Sequence, residues 1–225
     1  MNEIAIKRNG EIIDLQTAKE LGFEGEQIHL DNSPDALEVL RHSTAHLMAQ
    51  AIKSLYPDAE FYVGPTVKEG FYYDFKTKEV VGEGDLKTIE KQMLSFAKKK
   101  YPIEKYEISM AEAKEKFKDD HLKLAVMERI PSDIVSIYKQ GEFEDLCRGP
   151  HLPDIGLIRY FKLTKIAGAY LGGDSKNEML TRIYGIAFAD KESLKAYLDQ
   201  MAEAEKRDHR KIGNEMKLFT FREEV

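Results

Sequence analysis

The sequence has 225 residues, and against a domain size of about 150 that suits one medium domain plus a small appendage. Forty acidic and 34 basic residues leave a net charge of −6, which excludes a generally basic nucleic-acid coat, while 33% charged and 42% hydrophobic content excludes disordered and collagen-like classes. No apolar run approaches the roughly 18 residues of a membrane helix, and residues 1–15 already carry Glu3, Lys7, Arg8 and Glu11; neither a signal peptide nor a membrane partner is expected, and a cytoplasmic location is.

The first thirty residues read as a β-rich appendage: strands over residues 3–7 and 11–13 joined by an Asn9-Gly10 turn, a short helix near Ala18, and a strand over 27–30. Ser33 and Pro34 signal a helix start, with the Ser33 side chain expected to accept a backbone N–H bond, and Pro57 ends that helix. Next come a strand over 61–63, a Gly64-Pro65 break, an aromatic strand over 71–75 and a helix over 85–99. A strand over 104–108, helices over 110–117 and 121–129, and a strand pair over 134–138 and 142–146 around Gly141 follow. Strands over 161–164 and 180–188 precede a charged helix from Lys191 to about Glu215.

Strands and helices that do not alternate predict an α+β fold, an antiparallel sheet packed with a long central helix. The expected domains are a short β-rich appendage over 1–32, a main domain over 33–190 and a linker helix over 191–225. Lys206, Arg207, Arg210 and Lys211 cluster against the single acid Asp208, a candidate phosphate contact beside the plainer reading of a solvated helix end.

His42 and His46 stand four residues apart, one turn along one helix face. At about 100° per residue, Leu40, Leu47 and Ala51 fall on the far side, and the histidine face carries Glu38, Ala45, Ala49 and Lys53, residues suited to line a cleft. About a hundred residues later, Asp145, Cys147 and His151 lie within seven residues, broken by Gly149-Pro150. Cys147 is the sole cysteine and cannot form an internal disulfide. His42, His46, Cys147 and His151 form a candidate zinc set of nitrogen and sulfur donors; the competing reading needs no metal and uses the same groups to orient water and substrate. A zinc-protease reading fails because no Glu follows His42, and nothing around Cys147 resembles a cysteine-nucleophile signature. Residues 167–174 hold Gly168, Gly172 and Gly173 without a Gly-Lys-Ser/Thr ending, so a tight turn is expected there rather than a phosphate loop.

The segments over 41–47, 70–74, 145–151 and 168–174, in that order and spacing, resemble the editing domain of bacterial threonyl-tRNA synthetases, as do residues 182–185 and 206–213. Free-standing alanyl-tRNA editing proteins share the His-x-x-x-His and Cys-x-x-x-His frame, but the wording around Cys147 and the Gly70-Phe71-Tyr72-Tyr73-Asp74 strand favours the threonyl family. The appendage is shorter than that family's TGS module and resembles a trimmed remnant of it. At Val225 the family would pass into a class II aminoacylation domain holding ATP, Mg and its own zinc, so the resemblance implies an N-terminal fragment of an ATP-dependent threonine–tRNA ligase, homodimeric through domains outside this chain.

It further implies hydrolysis of Ser-tRNA(Thr), because one methyl group is worth only about 1–3 kcal/mol of discrimination and a synthetic site for threonine must leak serine. The carried-over catalytic positions are His42, His46, Lys123, Asp145, Cys147 and His151, with Tyr73 on the adenosine side of the substrate. Lys123 carries the alternative of a solvated helix lysine. Two other functions stay open: an alanyl-type Ser-tRNA(Ala) deacylase, and a tRNA-binding module without catalysis.

Overall fold

The computed structural model describes residues 2–207. The amino-terminal unit is β1 (Glu3–Arg8), β2 (Glu11–Asp14), α1 (Leu15–Glu20) and β3 (Glu26–His29), paired antiparallel in the order β2-β1-β3. Asn9 and Gly10 turn the β1–β2 hairpin with φ of 51° and 83°, the left-handed backbone that a two-residue hairpin turn requires. Asp14 caps α1, its carboxylate accepting from the Thr17 N–H at 2.8 Å.

Helix α2 (Pro34–Leu55) is the axis of the molecule. Pro34 fits its first turn, but the Ser33 side chain makes no capping bond, contrary to expectation; the Ser33 N–H instead donates to Asp31 at 2.8 Å, so the local bond runs backwards into an Asx turn. From Val39 to Ile52 every residue except His42 is buried. The expected cleft-lining face is therefore corrected: Ala45 and Ala49 are fully enclosed, because elements pack on all sides of α2 and small side chains let them approach closely.

Next in sequence come β4 (Glu60–Phe61), β5 (Thr66–Val67), β6 (Gly70–Lys76), α3 (Leu86–Lys99), β7 (Ile103–Ser109), α4 (Met110–Lys116), α5 (His121–Met127), β8 (Ile134–Gln140), β9 (Phe143–Leu146), β10 (Tyr160–Tyr170), β11 (Met179–Phe188) and α6 (Lys191–Lys206). Among the described residues the fold is α+β with every strand pair antiparallel, though divided among three sheets: β2-β1-β3, β10-β11-β6-β4 with β5 beside β6, and β7-β8-β9. Along β6, Phe71, Tyr73 and Phe75 alternate into the main core, where they meet α2, Phe61 and Ile183. Burying each phenylalanine contributes roughly 1.5–3 kcal/mol. Ile4, Ala5 and Ile28 of the amino-terminal unit enter the same core.

Two boundaries differ from the sequence reading. β10 continues to Tyr170 through Ala167 and Gly168, which pair with Arg182 and Thr181; the expected turn over 167–174 shrinks to Leu171–Gly173, where Gly172 has φ 66°. The last helix is described to Lys206, and of the basic cluster Lys206 and Arg207 are exposed; Arg210, Lys211 and the rest of the resembling segment over 206–213 lie outside the described residues.

Candidate functional site

The third sheet delivers the second half of the site to the first. In the β8–β9 ladder Asp145 stands opposite Tyr138 and Leu146 opposite Ile137. The ladder runs one residue past β9, the Cys147 N–H donating to the Ser136 carbonyl at 3.1 Å. At Gly149, φ 74° turns the chain, and a Cβ there would overlap the Tyr138 hydroxyl, so glycine is required twice over. His151 then enters the core against α2.

Nitrogen and sulfur atoms of His42, His46, Cys147 and His151 lie within 4.8 Å of one another. Cys147 Sγ is 2.9 Å from His42 Nε2 and 3.3 Å from His151 Nε2, and the Gly149 N–H donates to it at 3.3 Å. The His151 ring sits 4.4 Å from that of His42, 4.3 Å from His46 and 4.5 Å from Tyr138, centroid to centroid. Ser43, absent from the sequence-based set, orients His151: its Oγ donates to Val39 O at 2.9 Å, accepts from the Leu152 N–H at 2.9 Å and lies 3.2 Å from His151 Nδ1. Only its place between the two helix histidines could have pointed to it.

A second group adjoins the first. Lys123 is 2% exposed, which overturns the solvated-lysine alternative, and its Nζ pairs with Asp145 Oδ1 at 2.6 Å while donating to Tyr62 O at 3.3 Å. The other Asp145 oxygen accepts from the Tyr73 hydroxyl and lies 4.0 Å from His46 Nε2. Tyr73 is buried with its hydroxyl on this carboxylate, so the contact it makes is with the site's own acid. All seven sequence-derived positions thus fall in one connected set.

Burial governs the protonation states. It lowers His42 to about 3, aided by His46 and opposed by Asp145. It lowers His46 to about 4 against the pull of Asp145, and holds His151 well below the usual imidazole range. All three are neutral near pH 7. Burial pushes the Cys147 thiol up to about 12, so it is no thiolate nucleophile. Burial alone would raise Asp145, yet Lys123 and His46 outweigh it and leave the carboxyl below its ordinary value.

Two cavities reach this set. One of about 880 Å³ is lined by Lys123 and Asp145, with Phe61, Phe143 and Tyr101; the other, of about 600 Å³, is lined by Cys147 and Arg148 with Tyr62, Val126, Arg129 and Leu146. His42 and Cys147 are the half-buried members of the cluster, and His46 and His151 are its sealed back wall.

Residues 135–184, which hold Tyr138, Asp145, Cys147 and His151, match the family model described as the threonyl and alanyl tRNA synthetase second additional domain. Over 223 residues the chain is 64% identical to the threonine–tRNA ligase of Nautilia profundicola, covering 99% of this chain and 36% of that relative. It is 66% identical over 219 residues to the threonine–tRNA ligase of a Sulfurovum species, and 62% identical over 222 residues to that of Helicobacter hepaticus, covering 36% and 37% of those relatives and 97% and 99% of this chain. The chain thus spans about a third of the length of the curated relatives it matches. Among the described residues, no helix is long and apolar enough to cross a membrane.

The cluster also fits a metal ion. Its donors are three imidazoles and one sulfur, a set suited to tetrahedral zinc, and Ser43 on His151 Nδ1 leaves Nε2 turned to the sulfur as an outer hydrogen bond to a ligating histidine does.

Proposed function

We propose that the chain is the editing part of a cytoplasmic threonyl-tRNA synthetase and hydrolyses serine esterified to the 3′ end of tRNA(Thr). The observation that carries this reading is the cluster of neutral imidazoles and thiol beside the buried Lys123–Asp145 pair, on a domain matching the threonyl and alanyl synthetase type. The whole protein would join threonine to its tRNA with ATP and Mg, its own zinc and its dimer contacts belonging to domains beyond these residues. Residues 1–32, 33–190 and 191–225 would be the appendage, editing domain and linker.

The ester enters through the cavity that Cys147 helps to line. His42, the imidazole left partly open, meets the water: a water displacing the thiol contact at Nε2 gives that nitrogen its proton as its oxygen adds to the ester carbonyl carbon. The neutral Cys147 thiol and the Gly149 N–H, 3.3 Å from the sulfur, are donors for the developing oxyanion. The bond to the ribose oxygen then breaks, that oxygen takes the proton from His42, and serine leaves with tRNA bearing a free hydroxyl. His46 and His151, buried behind His42, would exclude the extra methyl of threonine sterically. Lys123 holds Asp145 as an anion, and Asp145 with Tyr73 fixes His46; each acts through its neighbour. A zinc ion on His42, His46, Cys147 and His151 would supply Lewis-acid polarisation when bound, and elemental analysis of protein purified without added zinc measures its occupancy.

The test is deacylation of Ser-tRNA(Thr), Thr-tRNA(Thr) and Ser-tRNA(Ala) by the chain and by His42→Ala. Cleavage of the first alone, falling by about 10²–10⁴ in the variant, is expected. Preference for Ser-tRNA(Ala) would establish an alanyl-type deacylase instead, and tRNA binding without turnover a non-catalytic module.

A further inference from the structure

The five-stranded sheet has a second face. Phe71, Tyr73, Phe75 and Ile183 point into the core, so by alternation Tyr72, Asp74, Leu180, Arg182 and Tyr184 point away from it. Register sets Tyr72 opposite Tyr184 and Asp74 opposite Arg182 on β6 and β11, and Lys165 of β10 opposite Tyr184. The two tyrosine rings are 5.6 Å apart. The Arg182 guanidinium lies 3.9 Å over the Tyr72 ring and 5.9 Å from that of Tyr184, anchored by two bonds of 2.6 and 2.7 Å to the buried Asp74 carboxylate. Lys165 is exposed, its Nζ 4.5 Å over the Tyr184 ring.

This array continues to the cavity at Cys147. The Tyr62 N–H donates to the Asp74 carbonyl at 2.8 Å, and the Tyr62 ring packs on Leu180 of the same sheet face. Arg129 donates to the Tyr62 hydroxyl at 2.5 Å with its guanidinium 5.7 Å from the ring. Tyr62, Arg129 and Arg148 line the cavity in which Cys147 stands. From Cys147 outward the cations Arg129, Arg148, Arg182 and Lys165 therefore stand among the partly exposed rings of Tyr72 and Tyr184, and outnumber the carboxylates of Asp74, which Arg182 binds, and Glu107 of the cavity lining.

We propose that this face is a stacking track for single-stranded RNA, the unpaired 3′ end of an aminoacyl-tRNA, leading it into the Cys147 cavity. The inference rests on the ester-cleaving reading of the cluster. Flat rings and guanidinium planes stack on bases of any sequence, and the interleaved cations meet phosphates. A duplex presents no unstacked bases to such a surface. Arg182, locked by Asp74 into a fixed plane, is preorganised for stacking, and Lys165 is free to follow the backbone.

The experiment measures binding without turnover, so a failure of hydrolysis leaves it decisive. Fluorescence anisotropy with a short labelled single-stranded RNA, and with the same sequence as a blunt duplex, is read for the chain and for Lys165→Glu, Tyr184→Leu and Arg129→Gln. Lys114→Glu, an equal charge change on exposed α4, is the control, and melting curves verify folding. Salt-sensitive binding that favours the single strand is expected, weakened about tenfold by each track variant and unchanged by Lys114→Glu. Equal binding of duplex and single strand, track variants that bind as the parent does, or an equal loss in Lys114→Glu overturns the proposal. Track variants that bind as the parent does would leave the face for a protein segment outside this chain.

Discussion

Tyr138 donates its hydroxyl hydrogen to Asp14 across 124 residues, at 2.7 Å, inside the core. The bond joins the amino-terminal unit to the wall of the site, because the same tyrosine ring packs 4.5 Å from His151 and its hydroxyl lies beneath Gly149. Burial and the Asp14 charge raise the Tyr138 phenol far above its ordinary value, so it remains a donor at every working pH. Tyr138→Phe keeps the ring and leaves a buried carboxylate oxygen unmet, at a cost of about 1–3 kcal/mol. For a chain of this size that lowers Tm by roughly 2–4 °C per kcal/mol, measurable by thermal unfolding. Asp14→Asn keeps one oxygen for the Thr17 N–H and turns an amide N–H to the Tyr138 oxygen, which can accept, so it should lose less; equal stability of all three proteins would refute the strut.

Lys123 and Asp145 are both 2% exposed and 2.6 Å apart. Removing either partner strands a charge where water cannot reach it, so Lys123→Met and Asp145→Asn should each destabilise by about 3–5 kcal/mol. The double variant should cost much less than their sum, giving a large coupling energy in urea unfolding. Additive losses would show that the pair does not hold the structure as a unit.

What the letters showed of this fold was local. Asn9-Gly10, Pro34 and Pro57 act on their own backbone, and each marks the turn or helix end expected of it. The strand over 167–170 was hidden because Ala167, Gly168 and Ala169 have no strand preference of their own. They are held by pairing with Arg182, Thr181 and Leu180, a fact that resides in the partner strand. Ala45 and Ala49 look like a cleft lining on a helical wheel, and only the elements packed around α2 make them core.

The site divides the same way. Its histidines, cysteine and aspartate were legible as a pattern because two short motifs carry them. Lys123 was ambiguous, since a lysine on a short helix is ordinarily solvated and only the carboxylate of Asp145 brings this one inside. Ser43, Tyr138, Tyr62 and Arg129 belong to no motif. Their roles come from neighbours far along the chain.

Ser43 is fully buried and serves three partners with one hydroxyl. Ser43→Ala frees the Leu152 N–H and the His151 ring together, so a loss of about 1–3 kcal/mol is expected. The ester-cleaving rate should fall more steeply than stability does, because His151 then turns away from Cys147. Comparing urea midpoints with deacylation rates for Ser43→Ala and Ser43→Thr separates the effects: a rate that tracks stability alone would reduce Ser43 to a packing residue.

His121 begins α5, two residues before Lys123, and ties that helix to two other elements. Its Nδ1 and backbone N–H bond Glu60, the latter at 2.7 Å, and its Nε2 lies 2.6 Å from Glu178, which also holds Lys76 at 2.5 Å. The Glu178 bond, with Glu60 behind it, raises His121 above its ordinary 6.5 against the opposing effect of partial burial. A raised folded value means that the stabilisation is fully present below the unfolded value and is lost as pH rises through the folded one. The stability difference between the parent and His121→Gln should therefore be greatest between about pH 5 and 6.5, where the carboxylates are still charged, and should fade at alkaline pH. The group is half exposed, so the difference is small and salt-sensitive. An NMR titration of His121 is the direct measurement: a midpoint above 6.5 that drops in Glu178→Gln is expected, and an unshifted midpoint in the parent would remove the latch.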